Sequence, residues 1–96
     1  MHTRADIVDN LFILSWLRFH MAIAFVLINT ELGQGSYVEK ALAQIEKISE
    51  SYPIYGVYDY IVKLETQSMD ELKDLISNKI RRIQYIRATL TLIVIE

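Results

Sequence analysis

Apolar and polar positions along the chain change period several times, and each change marks an element. Ala22–Thr30 is apolar at nearly every position, as expected of a central strand covered on both faces. Gly33-Gln34-Gly35 breaks this run, and Ser36 with Glu39 three residues on has the spacing of a capping box opening a helix. Val38, Ala41, Leu42, Ile45 and Ile48 then recur at helical spacing, opposite Glu39, Lys40, Gln44 and Lys47. Ser49–Tyr55 is rich in strand-forming residues but contains Pro53, which has no N–H for a ladder and so belongs on a sheet edge. After Gly56, Tyr58–Thr66 places Tyr60, Val62 and Leu64 on one face and Ile61, Lys63 and Glu65 on the other, completing a hairpin.

Ser68 and Glu71 repeat the capping spacing, and Met69, Leu72, Leu75, Ile76, Ile80 and Ile83 form the apolar stripe of a second helix ending near Ile83. Arg87–Ile95 alternates Thr89, Thr91, Ile93 and Ile95 against Leu90, Leu92 and Val94, which is a last strand. The order βαββαβ predicts an α+β, ferredoxin-like domain with a four-stranded antiparallel sheet in the order 4-1-3-2. Two helices cover one face of such a sheet, yet its strands are apolar on both. The second face is therefore expected to meet another subunit.

Ninety-six residues suffice for one domain, and 52% of them are hydrophobic, which strengthens the expectation of an oligomer. A net charge of −2 creates no field that would gather nucleic acid or an anionic membrane. The absence of cysteine removes disulfides and thiolate metal sites and suits a cytoplasmic interior. The longest apolar runs, Leu11–Leu14 and Ala22–Ile28, are far short of the roughly 20 residues that span a bilayer.

Residues 1–20 stand apart. Ile7, Val8, Leu11 and Leu14 are helically spaced, but Phe12, Ile13, Trp16, Leu17 and Phe19 widen the apolar face to nearly the whole circumference. The segment reads as an N-terminal extension, a helix or strand docked on the oligomer, with Met21 an alternative start of the domain 21–96. Asp6 and Asp9 interrupt what a secretory leader would need.

Four short motifs then occur in order: Gly56-Val57-Tyr58-Asp59 after the edge strand, Ser68-Met69-Asp70-Glu71-Leu72 opening the second helix, Asn78-Lys79-Ile80-Arg81 near its end, and Thr89-Leu90-Thr91 in the last strand. On a βαββαβ pattern they resemble the amino-acid-sensing effector domain of Lrp/AsnC regulators, the RAM domain, in its free-standing archaeal-type form. The resemblance spans Met21–Glu96. It implies a dimeric α+β barrel built by facing sheets, rings such as octamers, and an amino acid bound between subunits by the loop Tyr55, Gly56, Val57, Tyr58 and Asp59, with Thr89 and Thr91 nearby. Full-length Lrp/AsnC regulators are the implied partners. The helix-turn-helix of such regulators cannot be built from twenty residues, so direct binding to nucleic acid is not expected. Tyr85 departs from the family, which commonly has glycine in that turn.

Chemically, Asp59 could accept from a ligand ammonium, and the glycine turn could offer N–H groups to a ligand carboxylate. The plainer alternative makes Gly56 and Asp59 turn residues and the threonines ordinary strand residues. Tyr52, Tyr55, Tyr58 and Tyr60 could line or fill a cavity. Lys79, Arg81, Arg82 and Arg87 read better as a solvated helix end favoured by the dipole than as a phosphate site. His2 and His20 have no cysteine as co-ligand, and no metal or cofactor is expected. No nucleophile beside a base and no secluded carboxylate pair emerges, so a binding module is preferred to the small cofactor-free enzymes that share dimeric α+β barrels. A structural hetero-oligomerisation module is the remaining alternative.

Overall fold

A computed structural model describes residues 21–95. The extension 1–20, with His2 and His20, lies outside the described residues. Strand β1 runs Ala22–Thr30, helix α1 Gly35–Leu42, β2 Ile48–Pro53, β3 Tyr60–Thr66, helix α2 Met69–Leu75 continuing as one π-helical turn Ile76–Ile80, and β4 Ile86–Ile93. The strands lie in the order β2-β3-β1-β4, all pairs antiparallel, which is the expected 4-1-3-2 arrangement. Pro53 ends the edge strand opposite Tyr60.

β1 fills the middle because both its faces are apolar. Ala24, Val26 and Ile28 are fully buried beneath the helices, together with Val62 and Leu64 of β3, Val38 of α1, and Leu72 and Ile80 of the second helical segment. Register places Phe25 between Lys63 and Leu92, and Leu27 between Ile61 and Leu90, on the opposite face. Among the described residues nothing lies over that face, and Leu90 and Leu92 are exposed on it.

The two capping spacings behave differently. Ser68 Oγ accepts from the Glu71 N–H at 3.1 Å, and Glu71 Oε1 reaches back to the Gln67 N–H at 3.3 Å, so α2 is capped as expected. In α1, by contrast, Gln34 is the N-cap without a side-chain cap bond, and Ser36 lies inside the helix. The cause is the turn before it: Gly33 sits at φ 83°, and the Gln34 N–H bonds Glu31 O at 3.0 Å, which brings the chain into helical geometry two residues early. Gly35 also passes so close to Tyr60 that a Cβ there would lie 3.2 Å from the phenol oxygen.

α1 ends at Leu42 rather than following its apolar stripe onward; Ile45 packs from a turn and Ile48 opens β2. β2 starts one residue earlier than expected and stops at Pro53, and β3 starts at Tyr60 rather than Tyr58, leaving a longer loop. β4 is assigned Ile86–Ile93 rather than Arg87–Ile95, although the Val94 N–H still bonds Ile23 O at 2.9 Å.

Candidate functional site

The loop between β2 and β3 is closed at its root and open at its tip. The Ile54 N–H donates to Asp59 O at 2.9 Å, and the Asp59 N–H donates to Ile28 O at 2.8 Å, stitching the hairpin to the end of β1. The Asp59 carboxylate completes the attachment, with Oδ2 accepting from the Thr30 N–H at 2.8 Å and the Thr30 hydroxyl at 3.3 Å. This bond satisfies a backbone donor at the strand end, where the ladder with β4 is irregular between Asn29 and Thr30. Asp59 is half-buried.

Beyond that root the chain projects. Tyr55 is fully exposed, Val57 is 84% exposed, and Gly56 adopts φ 154°, a conformation L side chains rarely take. Among the described residues the N–H groups of Tyr55, Gly56, Val57 and Tyr58 have no backbone partner. Tyr58 is half-buried. The tip is convex, whereas small-molecule sites are concave. Two hollows of about 410 and 260 Å³ lie at the other end of the sheet around residues 42–51, Leu75 and Lys79.

Thr89 and Thr91 occupy the helix-facing side of β4, opposite Ile28 and Val26 respectively. Tyr60, Ile28 and Thr89 form one cross-strand row, so the loop root and Thr89 share an end of the sheet but stand two strand spacings apart, roughly 10 Å. Thr91 lies two residues further along. Its Oγ1 is buried and lacks a hydrogen-bond partner among the described residues, an uncommon state for a hydroxyl.

The four tyrosines do not form a cluster. Tyr60 belongs to the core, and its phenol donates to Gly35 O at 3.3 Å. Burial, then the charges of Glu39 and Asp59, push its pKa upward. Tyr52 sits on the open face and donates to Glu50 Oε1 at 3.0 Å, a bond that raises the phenol's pKa. Lys79, Arg81, Arg82 and Arg87 are all exposed.

Tyr85, where glycine was expected from the resemblance, stands at φ 75°, the left-handed conformation that a non-glycine residue adopts at a cost of about 1–2 kcal/mol. Its carbonyl accepts from the Glu31 N–H at 2.8 Å, and its ring meets Tyr37 edge-on with centroids 5.0 Å apart. The turn keeps the geometry glycine would give and adds an aromatic contact.

Sequence reasoning passed over two features. Thr30 is the anchor of Asp59, and its only sequence signal is a hydroxyl residue ending a central strand. On the open face, Lys63 lies 3.2 Å from Glu65 and 3.7 Å from Glu50, with its ammonium 5.9 Å from the centre of the Phe25 ring. Alternation placed Lys63 on that face without revealing its neighbours.

The family model described as the Lrp/AsnC ligand binding domain matches residues 23–96. The HTH-type transcriptional regulator FL11 of Pyrococcus furiosus is 32% identical over 74 residues, covering 77% of this chain and 48% of FL11. The chain thus spans about half the length of the curated relatives it matches. The crystal structure of FFRP-DM1 is similar with a TM-score of 0.71 at 41% identity, over 77% of this chain and 99% of that one. The regulator NMB0573 of Neisseria meningitidis, solved with L-Met, shares the fold with a TM-score of 0.70 at 9% identity, over 78% of this chain and 50% of its own. A βαββαβ sheet in the order β2-β3-β1-β4, joined to a family match over residues 23–96, places this chain in the Lrp/AsnC ligand-binding domain family.

Proposed function

We propose that the chain is a sensing unit that binds a free amino acid, or a closely related small metabolite, between subunits at the Tyr55–Asp59 loop. In this proposal it pairs with a second copy through the open sheet face, assembles into rings such as octamers, and modulates full-length Lrp/AsnC regulators in the cytoplasm. It does not read DNA itself and catalyses no reaction. Among the described residues no helix is long and apolar enough to cross a membrane.

The observation carrying this proposal is the loop's division of labour. Asp59 Oδ2 fixes the root to Thr30, while the tip carries N–H groups without backbone partners. A zwitterion needs donors for its carboxylate and an acceptor for its ammonium, and the tip supplies the first while Asp59 carries the second. The concavity that the convex tip lacks comes from a neighbouring subunit. Thr89, which shares the loop's end of the sheet, and Thr91 beyond it belong to this proposal through the family resemblance alone, since both lie on the helix-facing side of β4. NMB0573 was solved with L-Met, so the shared fold is compatible with an amino-acid ligand.

The test is a thermal-shift or calorimetric screen of the twenty amino acids against the intact chain. A ligand at 100 times its Kd adds about 2.7 kcal/mol of stability per site. Asp59→Asn keeps an acceptor for Thr30 and removes the charge, so it should abolish the shift while leaving the fold and the oligomer in place. A blank screen with an intact oligomer would instead leave the chain as a hetero-oligomerisation partner.

A further inference from the structure

The tip of the β2–β3 loop is apolar as well as rich in unpartnered N–H groups. Ile54, Tyr55 and Val57 are exposed there, and Tyr58 is half-buried beside them. Single exposed apolar residues are ordinary, but four within the five positions Ile54–Tyr58 make a contiguous patch, and such patches mark contact sites. Charge is scarce along the same stretch. Asp59 is the only charged residue between Glu50 and Lys63, and its Oδ2 is already engaged by the Thr30 N–H and hydroxyl. Among the described residues no ion pair involves Ile54–Asp59.

We propose that the amino acid held at this loop carries a large uncharged side chain, aliphatic or aromatic, and that Tyr55 and Val57 select it. The inference rests on the sensing proposal above and names the ligand class of the same site. In a free amino acid the carboxylate, the ammonium and the side chain all stem from one carbon, so a loop that holds the first two lies against the third. With the carboxylate on the N–H groups of Tyr55–Tyr58 and the ammonium at Asp59, the ligand side chain meets Tyr55 and Val57. A lysine or glutamate side chain there gives up its hydration with no opposite charge to receive it, because the one carboxylate of the loop already serves the ammonium and Thr30. That selects against charged ligands. A leucine or phenylalanine side chain instead takes both its own apolar surface and that of the tip out of water, and each buried methylene tightens binding about fourfold. Alanine brings too little surface to gain in this way.

Calorimetry on the intact chain compares leucine and phenylalanine with alanine, lysine and glutamate. Either of the first two should bind about tenfold or more tightly than the other three. Val57→Lys alters a side chain that is already 84% exposed, so it should fold like the parent by circular dichroism while placing a cation at the tip. Leucine should then bind about tenfold or more weakly, and glutamate should become the tighter ligand of the two. Tyr55→Ala should narrow the gap between phenylalanine and alanine. Lysine, glutamate or alanine binding the parent as tightly as leucine and phenylalanine would overturn this proposal and leave the sensing proposal standing. A Val57→Lys variant that keeps the parent's preference would do the same, as would one that changes only the oligomeric state, since the tip would then be a contact between subunits and no part of the ligand site. Silence towards all twenty amino acids removes the sensing proposal, and this one with it.

Discussion

The two faces of the sheet are written by the same four strands, yet they are built for different work. On the covered face, Ala24, Val26, Ile28, Val62 and Leu64 are fully buried and none is charged. On the open face, Phe25, Leu27, Ile61, Leu90 and Leu92 are larger on average, less buried, and share the surface with Glu50, Lys63 and Glu65. A covered face gains stability by excluding every group that needs water. The open face, proposed above to meet a second copy, must stay tolerable in water until it does.

The largest effects should therefore come from the covered face. Leu64→Ala removes a side chain with no exposed surface and should lower unfolding free energy by about 2–5 kcal/mol. Leu92→Ala, half exposed on the open face, should stay within about 0.5 kcal/mol in the monomer while weakening self-association. Chemical denaturation at low and high protein concentration separates the two, and equal losses for both would erase the distinction between the faces.

Next comes the seam at the sheet's end. Asp59→Ala leaves the Thr30 N–H without its acceptor and should lose about 1–3 kcal/mol, with Asp59→Asn losing less. If Asp59→Ala unfolds like the parent, the carboxylate does not anchor the loop.

A smaller effect separates a tyrosine on each face. Burial raises the folded-state pKa of Tyr60, so its contribution is fully present below the ordinary value of 10.0 and is lost as pH rises through the higher folded value. Tyr60→Phe should cost about 0.5–1.5 kcal/mol near neutrality, through the lost bond to Gly35 O, and should flatten the decline above pH 10.0. Tyr52 is raised by its bond to Glu50 but lies exposed, so Tyr52→Phe should leave the alkaline profile unchanged. The smallest change is at Tyr85→Gly, where relief of about 1–2 kcal/mol of backbone strain is offset by the lost contact with Tyr37, worth about 0.5–1.5 kcal/mol. Thermal melts should show a shift of only a few degrees.

The fold was legible wherever pattern and packing agree. β1 could be bounded to the residue because only a central strand needs a run of seven residues, Ala22–Ile28, apolar on both faces, and Pro53 marked its strand as an edge by lacking a donor. Ser36–Glu39 and Ser68–Glu71 share a spacing, yet only the second caps a helix. The difference lies in the Gly33 turn and the approach of Gly35 to Tyr60, neither of which is written in the spacing. The π turn at Ile76–Ile80 also escaped pattern, since its widened ring keeps Ile76 and Ile80 buried as an α-helix would. At the candidate site, Gly56 and Asp59 stood out by type, but the bond from Thr30 to Asp59 joins positions far apart in sequence and depends on tertiary register. Thr89 and Thr91 are ordinary strand residues by type and enter the candidate site only through the resemblance, and the unpartnered hydroxyl of Thr91 is evident only in three dimensions.

The position of β1 also governs how the domain comes into being. Of the four described strands, the first in sequence lies in the centre and is hydrogen-bonded on both sides by strands that follow much later, with Ala24 opposite both Leu64 and Ile93. Such pairings require large loops to close before they are rewarded, which slows folding relative to a chain of local contacts. During synthesis this strand leaves the ribosome before either of its neighbours and waits without them, the interval in which aggregation or capture by a chaperone competes with folding.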